Sequence, residues 1–318
     1  MSDLLESEVL IIGCGIAGCT TALTLADAGI PVTVVTRASA PEETNTYWAQ
    51  GGIIYQGRDD SPAALAHDVI QAGAGHSYAP AVQLLAEEGP GAVQRILLDR
   101  VAVPFDRDER GDLSLVREGG HTLPRIIHAT DASGKAMQIA LLNALQNHPR
   151  VQLLTGHTAV DLLTPAHHSL DRLAVYAPRS CIGAYLFDRK QGRVVRCLAQ
   201  KTVLATGGLG QIYLRTTNPA GARGDGLAMA YRTGVRIINA EFVQFHPTAF
   251  YQEQGPCFLI SEAVRGAGAR LVDAAGQPFM QKYEAEWKDL APREVVTRSI
   301  HLEMLIHDTN NVYLDLAS

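Results

Sequence analysis

The chain opens on a run of apolar positions that then changes period. Residues 8–12, EVLII, are continuously apolar after the acid, the pattern of a strand buried on both faces. The following GCGIAGCTTALTLADAG places Ile16, Ala17, Leu23, Leu25 and Ala26 as the apolar positions of a buried helix, with Gly29 to end it. PVTVV at 31–35 is a second β-branched run. Strand, helix and strand within about thirty residues predict a β-α-β unit and a parallel sheet.

Further along, helices are expected at 62–73, with Ser61 as cap and Pro62 in the first turn, at 79–98 and at 133–147. From 151 to 205 the pattern shortens. VQLLTG, TAVDLL, RLAVYA, IGAYLF, RVVRCLA and KTVLAT read as closely spaced strands with turn residues such as Gly192 between some of them. They predict an antiparallel sheet that feeds back into a buried strand at 201–205. A helix at 226–233 and a strand at 235–239 follow, and EFVQFHPTAF (241–250) opens a second region. No internal repeat and no low-complexity segment is present.

Composition narrows the class. The chain has 318 residues, 47% hydrophobic and 19% charged, with net charge −6. That permits a large core and argues against a polyanionic partner such as nucleic acid. The start, MSDLLESE, is unlike a signal peptide, and no apolar run approaches the roughly 20 residues of a membrane span. The cysteines at 14, 19, 181, 197 and 257 form no CxxC pair. They read as reduced thiols in a cytoplasmic protein. No metal-ligand spacing stands out, and His167 with His168 reads as a solvated loop.

Candidate chemistry begins at Gly13-Cys14-Gly15-Ile16-Ala17-Gly18, a GxGxxG between strand and helix. The first glycine permits the tight turn, the second lets a pyrophosphate approach the backbone, and the third lets helix and strand pack closely. The helix N-terminus offers N–H groups to the phosphates. Strand two ends Val35-Thr36-Arg37, where an acid commonly holds ribose hydroxyls. Arg37 therefore suits either the 2′-phosphate of NADP or the adenosine half of FAD. NTYWAQGG (45–52) falls where a flavoprotein lays its chain along the isoalloxazine, and its glycines allow close backbone approach. TVLATGG (202–208), with Thr206 and Gly207, and RGDGLAMA (223–230), with Asp225 before a helix, complete the set.

These motifs, together with REGGH, EFVQFHPT, SEAVRG and LAPRE, occur in the order in which the fumarate reductase/succinate dehydrogenase flavoprotein family carries them, and the chain resembles that family from residue 8 to its end. The resemblance implies an α/β fold: a Rossmann-like FAD-binding domain (1–238) with a parallel and an antiparallel sheet, then an α+β capping domain (239–318). It also implies that this capping domain is incomplete here, and that the family's returning FAD segment and helical domain lie outside these residues. It implies FAD contacts from Gly13 to Gly18, Arg37, Asn45, Thr46, Tyr47, Trp48, Ala49, Gln50, Gly51, Gly52, Thr206, Gly207 and Asp225. Asn45 stands where the succinate dehydrogenase branch has a histidine that carries FAD covalently, so non-covalent FAD is expected.

At the substrate end, Arg293 in DLAPREVV resembles the family's proton-transfer arginine, beside a helix N-terminus opened by Pro292. Glu262 and Arg265, i and i+3, resemble the pair that relays protons to it. Relatives commonly read RGEG where this chain has Arg265-Gly266-Ala267-Gly268. His246 resembles the histidine that binds a substrate carboxylate, and Gln244 and Ser261 match lesser contacts. Glu118, in LVREGGHTLPR, marks a branch whose substrate carries an ammonium, which a carboxylate pairs with. The implied reaction is FAD-dependent oxidation of L-aspartate to iminoaspartate, with O2 or fumarate as acceptor. Its product would feed quinolinate synthase, as the first step of NAD biosynthesis. A soluble fumarate reductase and a flavin-binding piece without activity are the alternatives.

Overall fold

The computed structural model describes residues 4–130, 132–253, 255 and 257–316. β1 (Leu4–Ile12), α1 (Ile16–Asp27) and β2 (Val32–Val35) form the expected β-α-β unit, with Val9 opposite Val32 in parallel register. Gly29, at φ +91°, makes the turn that ends α1. The apolar run of β1 divides by alternation. Val9 and Ile11 enter one core with Leu23, Ala26, Leu141 and Leu145, while Leu10 and Ile12 enter a second with Leu186, Cys197 and Met229. A strand with apolar residues at every position is thereby used on both faces.

Next come α2 (Asn45–Trp48), β3 (Ile53–Ile54), α3 (Pro62–Ala72) and α4 (Ala79–Val93). Ser61 caps α3 by accepting a hydrogen bond from Ala64 N at 3.2 Å. The helix expected over 79–98 holds α-period only to Val93 and widens into a π-turn at Gln94–Arg100, after the internal Pro90, whose missing N–H breaks the regular ladder. β4 (Leu115–Val116) and β5 (Ile126–Ile127) join β3 in a small antiparallel sheet of order β3-β5-β4. α5 (Ser133–Gln146) leads to β6 (Val151–Leu154), β7 (His157–Leu163), α6 (Pro165–His168), β8 (Gly183–Asp188) and β9 (Arg193–Leu204).

The main sheet runs β6-β2-β1-β9-β8-β7. Three expectations for 151–205 are corrected here. VQLLTG is a parallel edge strand beside β2, not part of an antiparallel set. RVVRCLA and KTVLAT are one strand, β9, parallel to β1 on one side and antiparallel to β8 on the other. The parallel and antiparallel parts therefore form one mixed sheet joined through β9. RLAVYA is a 3₁₀ turn (Arg172–Tyr176), with Leu173 and Tyr176 exposed, because its apolar residues find no core to alternate against.

α7 (Asp225–Arg232) follows, and the strand expected at 235–239 is absent. Gly234 at φ +79° and the bond Val235 N to Ala230 O close α7 in a C-terminal turn, and the chain continues irregularly. α8 (Glu262–Gly266), β10 (Arg270–Val272), α9 (Arg293–His307) and β11 (Tyr313–Asp315) complete the chain. Leu271, Phe279, Met280, Ala291 and Val296 form a separate core between β10 and α9.

Candidate active site

The cleft at the C-terminal end of β1 is built by backbone proximity. Gly13 sits at φ +112°, and a Cβ there would fall inside contact distance of Ala205 O. A Cβ on Gly18 would meet Gly13 O in the same way, so helix and strand approach as only glycine permits. The N-cap of α1, Gly15, offers no side-chain acceptor, and the first turn holds no acid, so the helix N-terminus favours an anion. Ile16 N is held by Thr46 Oγ1 at 3.0 Å, which ties the 45–52 segment to the glycine turn.

The first four residues of NTYWAQGG form α2, capped by Thr44, which accepts from Tyr47 N at 3.2 Å. Its aromatics make an edge contact at 5.5 Å, with Trp48 59% exposed. α2 packs on the start of α5, where a Cβ on Gly134 would collide with Thr46 O and Ala49 O. Gln50 donates to Leu259 O at 3.3 Å, and its Oε1 is buried with no hydrogen-bond partner among the described residues. Asn45 Nδ2 lies 3.5 Å from where a Cβ on Gly207 would stand. Gly207 is at φ +73°, just beyond β9, and Thr206 packs on Gly226 of α7. Asp225, the first residue of α7, takes Arg223 at 3.0 Å and Arg37 at 3.7 Å. Burial, then the charge of Arg223, holds the Arg37 guanidinium below its ordinary value. A cleft of about 1260 Å³ runs along Gly13–Ala17, Thr44–Thr46, Arg37, Thr206 and Asp225, ample for an extended dinucleotide.

The second cluster comes from segments far apart in sequence. Arg293 is the first residue of α9, with Pro292 as the residue before the helix. Its Nε donates to Glu262 Oε2 at 3.0 Å and its Nη2 lies 3.5 Å from Glu118 Oε2. Arg293 thus lies against two anions, a juxtaposition that the linear sequence could not place. Arg265 is 2% exposed, lies 3.7 Å from Glu262, and donates to Asp289 O. Burial lowers its guanidinium from the ordinary value. Among the described residues its Nε and Nη2 have no hydrogen-bond partner. His246 is pushed down to about 4, first by burial and then by the charge of Arg293. It is neutral at pH 7, with Nδ1 against Thr248 N and O. Ser261 caps α8 by accepting from Ala263 N, and Gln244 is exposed, so neither is drawn into the cluster. His167 and His168 are exposed on α6, bonded to Thr164. Among the described residues there is no group of His, Cys, Asp or Glu suited to a metal.

Three contributions escaped the sequence. Gln138, fully buried on α5, donates to Cys14 O at 2.8 Å and braces the glycine turn. Gly134 is needed for close approach, and its position at a helix start was the one available signal. Arg125, buried between Asp60 and Asp68, anchors the turn that carries Glu118; nothing in spacing predicts that three-way contact. Glu118 abuts Gly51, whose Cβ position lies 3.6 Å from Glu118 Oε1. The 45–52 segment therefore reaches the Arg293 cluster through Glu118.

A helix N-terminus free of acids, a long cleft, glycines where backbone must approach, and a Gln50 Oε1 unpartnered among the described residues all suit a flavin dinucleotide. The chain belongs to the FAD binding domain family, whose sequence model matches residues 8–318, and FAD is its cofactor. Within that class it is similar to L-aspartate oxidase 1 of Ralstonia nicotianae, 44% identical over 98% of this chain and 57% of that protein. It is also similar to the L-aspartate oxidases of Pseudomonas aeruginosa (40%, covering 100% and 58%) and Halobacterium salinarum (42%, covering 100% and 59%). The chain thus spans little more than half the length of these relatives. Among solved structures it superposes on a mutated E. coli quinol fumarate reductase with TM-score 0.88 at 26% identity, covering 99% of this chain and 54% of that one. Mycobacterium smegmatis Sdh1 gives 0.79 at 28%, covering 100% and 53%. No helix of the described residues is long and apolar enough to cross a membrane.

Proposed function

We propose that the protein oxidises L-aspartate to iminoaspartate. One observation carries the reading: Glu118 stands between Gly51, on the segment expected to flank the flavin, and the Arg293 guanidinium. A carboxylate there pairs with the ammonium of an amino dicarboxylate, while a plain dicarboxylate calls for cations and dipoles alone. On this reading the neutral His246 hydrogen-bonds a substrate carboxylate. Arg293 holds or passes a proton at its guanidinium, and it moves one only as Glu262, hydrogen-bonded to its Nε, takes up another. Arg265 behind Glu262 extends that route. FAD, when bound, supplies the hydride acceptor, with O2 or fumarate regenerating it.

The same reading divides the chain into an FAD-binding part, 1–238, and a substrate-capping part, 239–318, in keeping with the separate core at β10 and α9. It makes the FAD non-covalent, because an Asn45 amide lacks a comparable nucleophile. It places the protein in the cytoplasm, with its product passed to quinolinate synthase. The test is anaerobic addition of L-aspartate to the whole natural holoprotein. Bleaching of the flavin, with release of ammonia and oxaloacetate from the hydrolysed imine, is expected. A flavin that ignores aspartate but cycles with succinate and fumarate would establish the second reading, a soluble fumarate reductase, which the structural likeness to E. coli quinol fumarate reductase favours.

A further inference from the structure

Arg125 is fully buried, yet it lies in neither the cleft nor the Arg293 cluster. Its Nε and Nη2 donate to Asp60 at 2.7 and 2.8 Å, and its Nη1 donates to Asp68. Asp60 is 4% and Asp68 3% exposed at the side chain. Asp68 Oδ2 also accepts from Thr122 N at 2.9 Å and Thr122 Oγ1 at 3.0 Å. Arg125 Nη1 further lies 3.2 Å from His121 Nδ1. A guanidinium only donates, so that ring nitrogen accepts and the proton of the neutral ring sits on Nε2. Burial and then the Arg125 charge lower His121 from its ordinary value, which keeps the ring neutral at pH 7.

All of this surrounds one turn. His121 N bonds back to Glu118 O at 3.2 Å across Gly119 and Gly120, with Gly120 at φ +83°. A turn with two glycines at its tip has little intrinsic stiffness, yet it must hold Glu118 against Arg293 and Gly51. Arg125 is also bound through its backbone: Tyr55 N donates to Arg125 O and Arg125 N donates to Val116 O. The clamp therefore locks the turn to the same small sheet whose β3 continues from Gly51 and Gly52.

We infer that the Asp60–Arg125–Asp68 clamp, through Thr122 and His121, is the positioning device for Glu118 and thereby sets the preference for a substrate that bears an ammonium. Breaking one buried ionic partner leaves the others uncompensated, and a displacement of about 1 Å at a substrate contact costs up to about 10²-fold in rate. The inference rests on the aspartate reading for its consequence, but not for its mechanics.

Two variants test it, each in the whole holoprotein. Asp68→Asn should lower kcat/KM for aspartate about 10- to 100-fold, mostly through KM, and leave fumarate reduction within about 3-fold. Thr122→Val removes one hydroxyl bond and should give a milder loss for aspartate alone, about 2- to 10-fold; it carries the test should Asp68→Asn not fold. Equal losses for both substrates, or none, would overturn the inference. Hydrogen exchange reads the mechanics whatever the substrate. Amides of 118–122 should lose protection in Asp68→Asn while those of β1 keep theirs, and unchanged protection at 118–122 overturns the clamp. An inactive wild type with intact exchange behaviour would sink the aspartate reading and leave the clamp standing.

Discussion

The cleft at β1 and the cluster around Arg293 are built on opposite plans. The cleft starts from one short stretch, Gly13 to Gly18, which supplies the turn and the helix N-terminus, and the fold brings Arg37, Thr44–Thr46, Thr206 and Asp225 to it. Its determinants are small residues, and their role is to leave room. The Arg293 cluster draws on 118, 246, 262–265 and 293, and its determinants are large charged groups that hold one another. Arg293 bonds Glu262 and faces Glu118; neither pairing has a local cause. The cleft should therefore fail by steric change and the cluster by loss of charge, with separable effects on FAD retention and on turnover.

The sharpest break between the two regions is Arg293→Leu. It should lower turnover with aspartate by at least about 10²- to 10⁴-fold while leaving FAD bound, as read by flavin absorbance after gel filtration and by stopped assays. A near-normal rate would make Arg293 a structural ion-pair partner. Next comes Glu118→Gln. Losing a charge-assisted hydrogen bond of roughly 1.5–3 kcal/mol should weaken aspartate use by about 10- to 150-fold. Fumarate, a dianion, should be no worse, since a like charge is gone. Equal losses for both, in steady-state kcat/KM, would remove the ground for choosing an amino dicarboxylate.

Gly18→Ala tests the other plan. Its Cβ has no room against Gly13 O, and overpacking of this kind costs about 1–3 kcal/mol. Tm and FAD affinity should fall together, while any molecules that retain FAD should turn over at the normal rate. A drop in turnover per bound flavin would mean that the two regions are coupled.

The smallest effect is a pH dependence. His246 sits at about 4 in the fold, against an ordinary value near 6.5, because burial and then Arg293 oppose its charge. Between these values the unfolded chain binds the extra proton, so stability rises with pH over that window and is lost as pH falls through it. His246→Gln should flatten this part of a stability-against-pH curve, and an unchanged slope would show that His246 does not titrate in this way.

How much could be read in advance follows the same division. The β-α-β unit, the glycine turn, the Ser61 cap and α5 were legible because each depends on neighbours in sequence. The 3₁₀ turn at 172–176 and the missing strand at 235–239 were not, because an apolar run becomes a strand only where a partner edge waits for it. The pattern of β9 suggests two strands because its alternation fails at Gln200 and Lys201, both exposed, although pairing with β1 continues through them. Glu118, Glu262, Arg265 and Arg293 were identifiable as motifs, and their mutual distances were not.

By itself the sequence determined where backbone must pass close to backbone, because a missing Cβ at Gly13 and Gly18 is a property of the residue. It also determined the opening β-α-β unit and the Ser61 cap of α3. The tertiary structure alone decided that Glu118 faces Arg293, that Arg125 closes on Asp60 and Asp68, and that the antiparallel strands extend the parallel sheet. Charge pairing acts over a few ångströms of space regardless of chain separation, so its partners exist only once the chain has folded.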